Sequence, residues 1–380
     1  MWLTFGKHND IIIVVNTTER KVIFLKIKQV ELENFMIFHS LSMPFSDGIN
    51  LIFGENSTGK TAILKILYAS AKAISDSMNQ KQTIFKEPFQ KHLVQKVTGV
   101  FRPERDAIGR LVGRKQGSNR TQVEILLEQQ DKLSFGFGNR QVNGIDMNAI
   151  LKSDIEPFTP IYIPPKEIIS ATGNFTSLYD EFHIEFDETY YDLAKLLLRP
   201  LKKGANTKEQ KSVLSELQNI VDGSIVQKDN HFYLKKNGGE FEMGLVSEGY
   251  RKLSTIMYLI LSGSLNSQSI LFWDEPESNM NPKMIYHVTQ MLAELAKMGV
   301  QIFIATHSYF IQQAFQLMTA YPKANPKNVD IRFFSLFQQT EADGKQNIQL
   351  EVGDSLENIQ HNAIMEEFDA LYDRELRMMP

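Results

Sequence analysis

The stretch Leu51-Ile52-Phe53-Gly54-Glu55-Asn56-Ser57-Thr58-Gly59-Lys60-Thr61 decides how this chain is read. Three apolar residues make a short strand, and the next eight fit the pattern G-x-x-x-x-G-K-[ST]. From Thr61 onward Ile63, Leu64, Ile66, Leu67 and Ala71 recur at helical spacing. Strand, glycine loop and helix in that order form a mononucleotide-binding unit. Glycines let the backbone wrap closely around phosphates, and the N–H groups of Gly54 through Gly59 and the helix start supply positive dipoles. Lys60 would reach the β- and γ-phosphates of ATP, and the Thr61 hydroxyl would ligate Mg2+. The alternative, a glycine-rich turn that only caps a helix, leaves Lys60 and Thr61 without a task.

The 380 residues suffice for two or three compact units. With 42% apolar and 23% charged residues the composition is globular, which excludes a mainly disordered chain. Lys and Arg total 41 against 45 Asp and Glu, so no global basic field points to nucleic acid. The absence of cysteine excludes disulfides, thiolate zinc sites and thiol catalysis. No two of the eight histidines share a helical turn. No apolar run approaches the ~18 residues of a membrane span, and the N-terminus has no cleavage signal. These features predict a soluble, cytoplasmic protein with no membrane contact.

Farther along, Ser269–Trp273 is an apolar strand that ends in Asp274-Glu275-Pro276. A carboxylate at the C-terminal end of a parallel strand lies where nucleotide-bound magnesium belongs. Asp274 is therefore assigned to the metal and Glu275 to the attacking water as general base. Ser247-Glu248-Gly249 opens the helix Tyr250–Leu261. Ser247 suits an N-cap, but its hydroxyl and the helix start could equally face an anion. The first nucleotide already has its own glycine loop, so a second helix-start phosphate site implies another copy of the chain. The strand Gln301–Ala305 delivers Thr306-His307-Ser308, which sets His307 beside the γ-phosphate as a catalytic sensor.

The segments divide as follows. Residues 1–72 form a β-rich entry, with strands at Ile11–Val15, Val22–Ile27 and Val30–Phe35, and carry the phosphate loop. Residues 73–176 read as an inserted β-rich lobe of polar loops and strands such as Thr121–Leu127 and Leu133–Phe137. Residues 177–243 read as a helical insertion with a three-stranded hairpin, and 244–380 as alternating helix and strand. Two strands flank the turn Ala342-Asp343-Gly344, and the closing helix Ala363–Leu376, with Ile364, Phe368, Leu371 and Tyr372 at helical spacing, is expected to pack on the core.

Together these motifs resemble the ABC-type ATPase superfamily, and more narrowly the SMC, RecF and OLD-like branch found in DNA repair and bacterial anti-phage systems. The likeness covers nearly the whole chain. Gly54–Thr61 matches the Walker A loop, Ile270–Glu275 the Walker B strand, Val246–Gly249 the signature, Glu277–Asn281 the D-loop and His307 the switch histidine. The runs Asp274–Pro282 and Tyr162–Glu167 look like those of defence-associated members. Glu248 replaces the first signature glycine, Asn281 stands where aspartate is common, and the Q-loop region holds Lys166 or Glu167. Residues 1–26 precede the point where related proteins usually begin, as an added edge strand or an early start codon.

The resemblance implies an α/β fold: a P-loop NTPase head of ABC type with a mostly parallel core sheet, an antiparallel β subdomain and a helical insertion. It also implies a homodimer, or a ring of dimers, that sandwiches two ATP molecules, each held by one chain's Walker loops and another chain's Ser247 and Gly249. The first functional expectation is a soluble ATPase that acts as sensor or scaffold for a separately encoded effector, a nuclease or toxin, in anti-phage defence. The 73 residues after His307 are too few for an appended TOPRIM nuclease. The second expectation is a DNA repair ATPase that uses the basic stretch 101–120 (Arg102, Arg105, Arg110, Arg114, Lys115, Arg120) on phosphates. A transporter subunit fits less well, because 186 positions separate Thr61 from Ser247, about twice the gap of such subunits.

Overall fold

The computed structural model describes residues 25–79, 86–114, 117–149, 151, 156–182, 184–321, 323–325, 328–340 and 346–379. The expected strand Ile11–Val15, the start of Val22–Ile27, Lys115 and the turn Ala342-Asp343-Gly344 lie outside these residues.

The chain enters through strands β1 (Ile27–Phe35), β2 (Phe38–Pro44) and β3 (Ile49–Gly54), then helices α1 (Lys60–Asn79) and α2 (Lys86–Phe101). Strands β4 (Arg120–Leu127), β5 (Lys132–Gly138), β6 (Asp146–Ala149) and β7 (Thr159–Ile163) follow. Helices α3 (Thr172–Phe182), α4 (Glu188–Leu197) and α5 (Lys208–Val221) lead to the hairpin strands β8 (Ser224–Lys228), β9 (His231–Lys236) and β10 (Gly239–Glu242). The remainder alternates as α6 (Glu248–Leu261), β11 (Ser269–Asp274), α7 (Pro282–Lys297), β12 (Gln301–Thr306) and α8 (Tyr309–Ala320). It closes with β13 (Ile331–Thr340), β14 (Gln346–Gly353) and α9 (Ala363–Met378).

A six-stranded sheet ordered β14-β13-β3-β12-β11-β7 is parallel except at its β13–β14 edge. Strands β3, β11 and β12 are buried along their whole length, which is why they read as unbroken apolar runs. Alternate residues face opposite layers. Ile52, Phe272, Phe303 and Phe334 join a core with α1, α2 and the antiparallel sheet, while Leu51, Phe53, Leu271, Trp273 and Ile304 join the core under α4 to α8. The buried Gln301 side chain pins the first strand to this sheet, accepting from Ile27 N (2.9 Å) and donating to the carbonyls of Ile27 (2.8 Å) and Ser46 (2.8 Å).

Segment 73–176 departs from the expected inserted lobe. Residues 86–101 are helical, because Phe89, Leu93, Val97 and Val100 form one buried stripe against α1. Strands β4 to β6 join β1 and β2 in one antiparallel sheet ordered β2-β1-β4-β5-β6, and β7 enters the central sheet beside β11. The three strands expected over Ile225–Met243 are present as β8 to β10. Helix α9 also departs from expectation: it has no buried residue, Phe368, Leu371 and Tyr372 are more than half exposed, and Phe368 stacks on Tyr309. Helical spacing identifies an apolar face without saying what covers it.

Between α1, α2 and α4 lies a buried ionic cluster. Lys96 Nζ reaches Glu188 Oε1 at 2.5 Å and Asp192 Oδ2 at 3.1 Å, and the Tyr68 hydroxyl donates to Asp192 at 2.7 Å. Lys96→Met leaves two sequestered carboxylates without their cation and is expected to lower the unfolding free energy by ~3–5 kcal/mol. Urea denaturation tests this, and a loss under ~1 kcal/mol would mean the cluster is hydrated.

Candidate nucleotide site

The phosphate loop links β3 to α1 where the parallel strands end. Both glycines of the pattern are sterically required. Gly54 has φ +147° and a Cβ there would stand 2.0 Å from the Leu336 carbonyl oxygen of neighbouring β13. Gly59 has φ +90° and the Phe38 ring would meet its Cβ at 2.3 Å. Ser57 also takes a left-handed turn, and Thr58 Oγ1 donates to the Glu55 carbonyl at 2.8 Å.

Lys60 folds back into its own loop, donating to the carbonyls of Gly54 (2.9 Å) and Glu55 (2.6 Å). Burial brings its pKa down to about 8, against the pull of Asp274, Glu275, Glu277 and Glu55. The Thr61 hydroxyl donates to Asp274 Oδ2 at 2.9 Å, so the two residues assigned to one metal meet across 213 positions. They are hard oxygen donors of the kind Mg2+ takes, and the pair fits that ion. Thr61 and Asp274 would hold Mg2+, which when bound would supply positive charge against the negative charge of a polyphosphate. Asp274 also accepts from the Tyr162 hydroxyl (3.1 Å) on β7, and burial raises its pKa to about 6. Tyr162 opens the run Tyr162–Glu167, but its hydrogen bond to Asp274 follows only from the β7–β11 pairing, which sets Tyr162 beside Phe272.

Glu275 adopts φ +47° and its N–H donates to the Ala305 carbonyl at 2.9 Å. Its Oε1 stands 3.6 Å from His307 Nε2. Burial and the Lys60 cation hold the imidazole pKa below its usual value, which favours the neutral ring at neutral pH. Glu277, known from sequence only as a D-loop position, latches the end of β12: its Oε1 accepts from Thr306 Oγ1 (2.7 Å) and from His307 N (2.8 Å). Asn281 caps α7, its side chain accepting from Lys283 N at 2.9 Å, a task either Asn or Asp performs.

Asn56, Ser57, Gly59, Lys60, Thr61, Glu275 and His307 line a cavity of about 510 Å3. Its other wall is apolar: Met36 and Ile37 from the β1–β2 turn and Phe101 from the end of α2. No sequence pattern singles out those three, since only the tertiary fold carries them to the loop. Ser247, Glu248 and Gly249 do not line this cavity. Ser247 heads α6 without making a side-chain cap, and the residue is exposed. Glu248 accepts from Asn279 Nδ2 at 2.9 Å, turning its charge toward its own chain. Of the Q-loop alternatives, Glu167 is ion-paired to Arg251 at 2.8 Å and Lys166 is exposed. Within 101–120, Arg102 donates to the carbonyls of Ile184 and Phe186, Arg110 pairs with Glu104, and Arg120 with Asp146. Those three guanidiniums serve local structure.

A family model described as "AAA domain, putative AbiEii toxin, Type IV TA system" matches residues 49–311, which include the glycine loop, the Asp274-Glu275 strand end and His307. The chain belongs to this AAA-domain family. The "DNA replication and repair protein RecF" of Lachnoclostridium phytofermentans is 35% identical over 60 residues, 16% of this chain and 17% of that protein. The RecF of Clostridium botulinum is 25% identical over 124 residues, 33% of this chain and 28% of its own length. The chain thus spans less than a third of these curated relatives. The SMC head domain from Thermotoga maritima aligns at 13% identity and TM-score 0.45 over 85% of this chain and 98% of that one. Among the described residues no helix is long and apolar enough to cross a membrane.

Because burial raises the Asp274 pKa to about 6, between about pH 4 and 6 the native state binds more protons than the unfolded chain and its stability falls as pH rises. Asp274→Asn keeps an acceptor for Thr61 and Tyr162 without the charge. Without nucleotide or Mg2+, it is expected to be more stable than the parent at pH 7.5 by up to about 3 kcal/mol, with the advantage gone at pH 4. Thermal melts at both pH values test this, and a pH-independent difference would rule out Asp274 as the titrating group.

Proposed function

We propose that this protein is a Mg2+-dependent ATP hydrolase whose two active sites form between copies of the chain, and that the nucleotide-dependent pairing controls a separately encoded effector. The observation that carries the reading is the separation of Ser247 from the Lys60 cavity, together with a serine hydroxyl that is not spent on capping its own helix. A second copy could bring Ser247 and Gly249 to the γ-phosphate side of that cavity. Exposed apolar side chains suit such a contact: Met36 and Ile37 at the cavity, and Phe241, Leu245 and Tyr286 on the elements around Ser247. In the catalytic sequence Lys60 would exchange its loop carbonyls for the β- and γ-phosphates. Glu275 would accept the proton of the attacking water, and neutral His307 would hydrogen-bond the γ-phosphate. Met36, Ile37 and Phe101 would receive the adenine.

Closure on ATP and release after hydrolysis make a two-state device, which suits a sensor or scaffold better than a bulk metabolic enzyme. The family description names a "putative AbiEii toxin" of a toxin–antitoxin system, and the Asp274–Pro282 run resembles defence-associated members, both of which favour a defence role over housekeeping metabolism. A DNA repair ATPase of the RecF kind is the second reading, favoured by the local RecF likeness. Against it, Arg102, Arg110 and Arg120 each already have a partner within the chain, so phosphate would have to compete with them.

Complementation tests the composite site. Lys60→Ala and Ser247→Arg are each expected to abolish hydrolysis. Mixing them should restore about a quarter of the parent rate, because half the random dimers pair one intact Lys60 with one intact Ser247. In parallel, Glu275→Gln should bind ATP, lose 10²–10⁴-fold in hydrolysis and sediment at twice the mass or as a more compact assembly only with Mg-ATP. No recovery on mixing, with both variants folded and exchanging subunits, would assign each site to a single chain.

A further inference from the structure

Lys252 lies five residues after Ser247 in α6, and only 1% of its surface is exposed. Its ammonium donates to three neutral oxygens: the Glu275 carbonyl (3.2 Å), the Ser278 carbonyl (2.9 Å) and the Ser278 hydroxyl. Burial holds its pKa below that of an ordinary lysine, although the carboxylates of Glu248, Glu277, Glu275 and Glu167 oppose the shift. An apolar side chain of similar volume would cost less to bury, so packing alone gives no reason for a charge here. The three acceptors supply a reason. All belong to the turn that follows β11, and Glu275, at its start, is held at φ +47°, a conformation that non-glycine residues take only when their surroundings impose it.

The surroundings fasten this turn from both sides. The Glu275 N–H is held by the Ala305 carbonyl and its C=O by Lys252. Ser278 Oγ lies 3.0 Å from the same Glu275 carbonyl and 3.2 Å from that of Pro165, so the loop after β7 closes the knot. The adjacent Arg251 ties α6 to Glu167 of that loop.

We propose that Lys252 is a positioning residue for hydrolysis, setting the left-handed turn that aims the Glu275 carboxylate at the attacking water. The proposal rests on Glu275 being the base. Lys252 touches no reacting atom, so its loss should spare nucleotide binding and slow the chemical step.

The test uses Lys252→Met, which keeps the stem and removes the ammonium. ATP affinity is expected to stay within about threefold, while single-turnover hydrolysis falls about 10²-fold, as for a catalytic group displaced by about an ångström. Ser278→Ala, which leaves lysine and carbonyls in place, should lose about tenfold. Because Lys252 acts through Glu275, adding Lys252→Met to Glu275→Gln should cause no further loss. Multiplicative losses in the double variant, or an ATP affinity that falls with the rate, would overturn the proposal. Should Lys252→Met fail to fold by circular dichroism, Ser278→Ala alone and combined with Glu275→Gln makes the same comparison. Full hydrolysis by Glu275→Gln alone would instead refute the base assignment, and this proposal with it.

Discussion

The parallel register of β3, β12 and β11 is the constraint on which the site depends. Thr306 pairs with Phe53 and Asp274 with Ala305, so three strands from distant parts of the sequence end at one level. Their ends carry the glycine loop, Asp274-Glu275 and His307, and the side chains meet because the main chains are bonded in step. A shift of one residue in any of these strands would turn its apolar set to the wrong layer, and two buried cores oppose that.

Around this edge the protein keeps polar groups that weaken the fold. Asp274 is a nearly sequestered carboxylate whose closest partners are neutral hydroxyls, Lys60 is a buried ammonium held by carbonyls, and Glu277 has one buried oxygen without a hydrogen-bond partner. Each is less favourable than an apolar core of the same volume. Such groups suit a site that becomes electrostatically complete when a polyphosphate and its cation arrive. The apolar Met36–Ile37 turn and Phe101 give the same cavity the opposite kind of surface.

Much of this was legible in the order of residues. The glycine pattern between an apolar strand and an amphipathic helix identifies the phosphate loop, because few other backbones need glycine at both Gly54 and Gly59. The apolar runs that end in Asp274 and Thr306 announce buried parallel strands. Local patterns stop short of two features: the helix over 86–101 lies in a segment whose polar loops and neighbouring strands suggest a β-rich lobe, and the apolar stripe on α9, which suggests a packed face, is exposed. Neither question can be settled until the neighbouring element is known.

By itself the sequence determined the chemical parts, namely a glycine-rich loop before a helix, an Asp-Glu pair at a strand end, a histidine at another strand end and a serine at a helix start. Local rules suffice for these, since loop geometry, strand ends and caps depend on residues a few positions apart. Only the tertiary structure decided that Tyr162 supports Asp274, that Glu277 latches His307, that Lys252 holds the turn at Glu275, and that Ser247 stands apart from the cavity of its own chain. The first three relations span 23 to 112 positions, and they exist because sheet pairing and burial, which no local pattern encodes, bring the residues together.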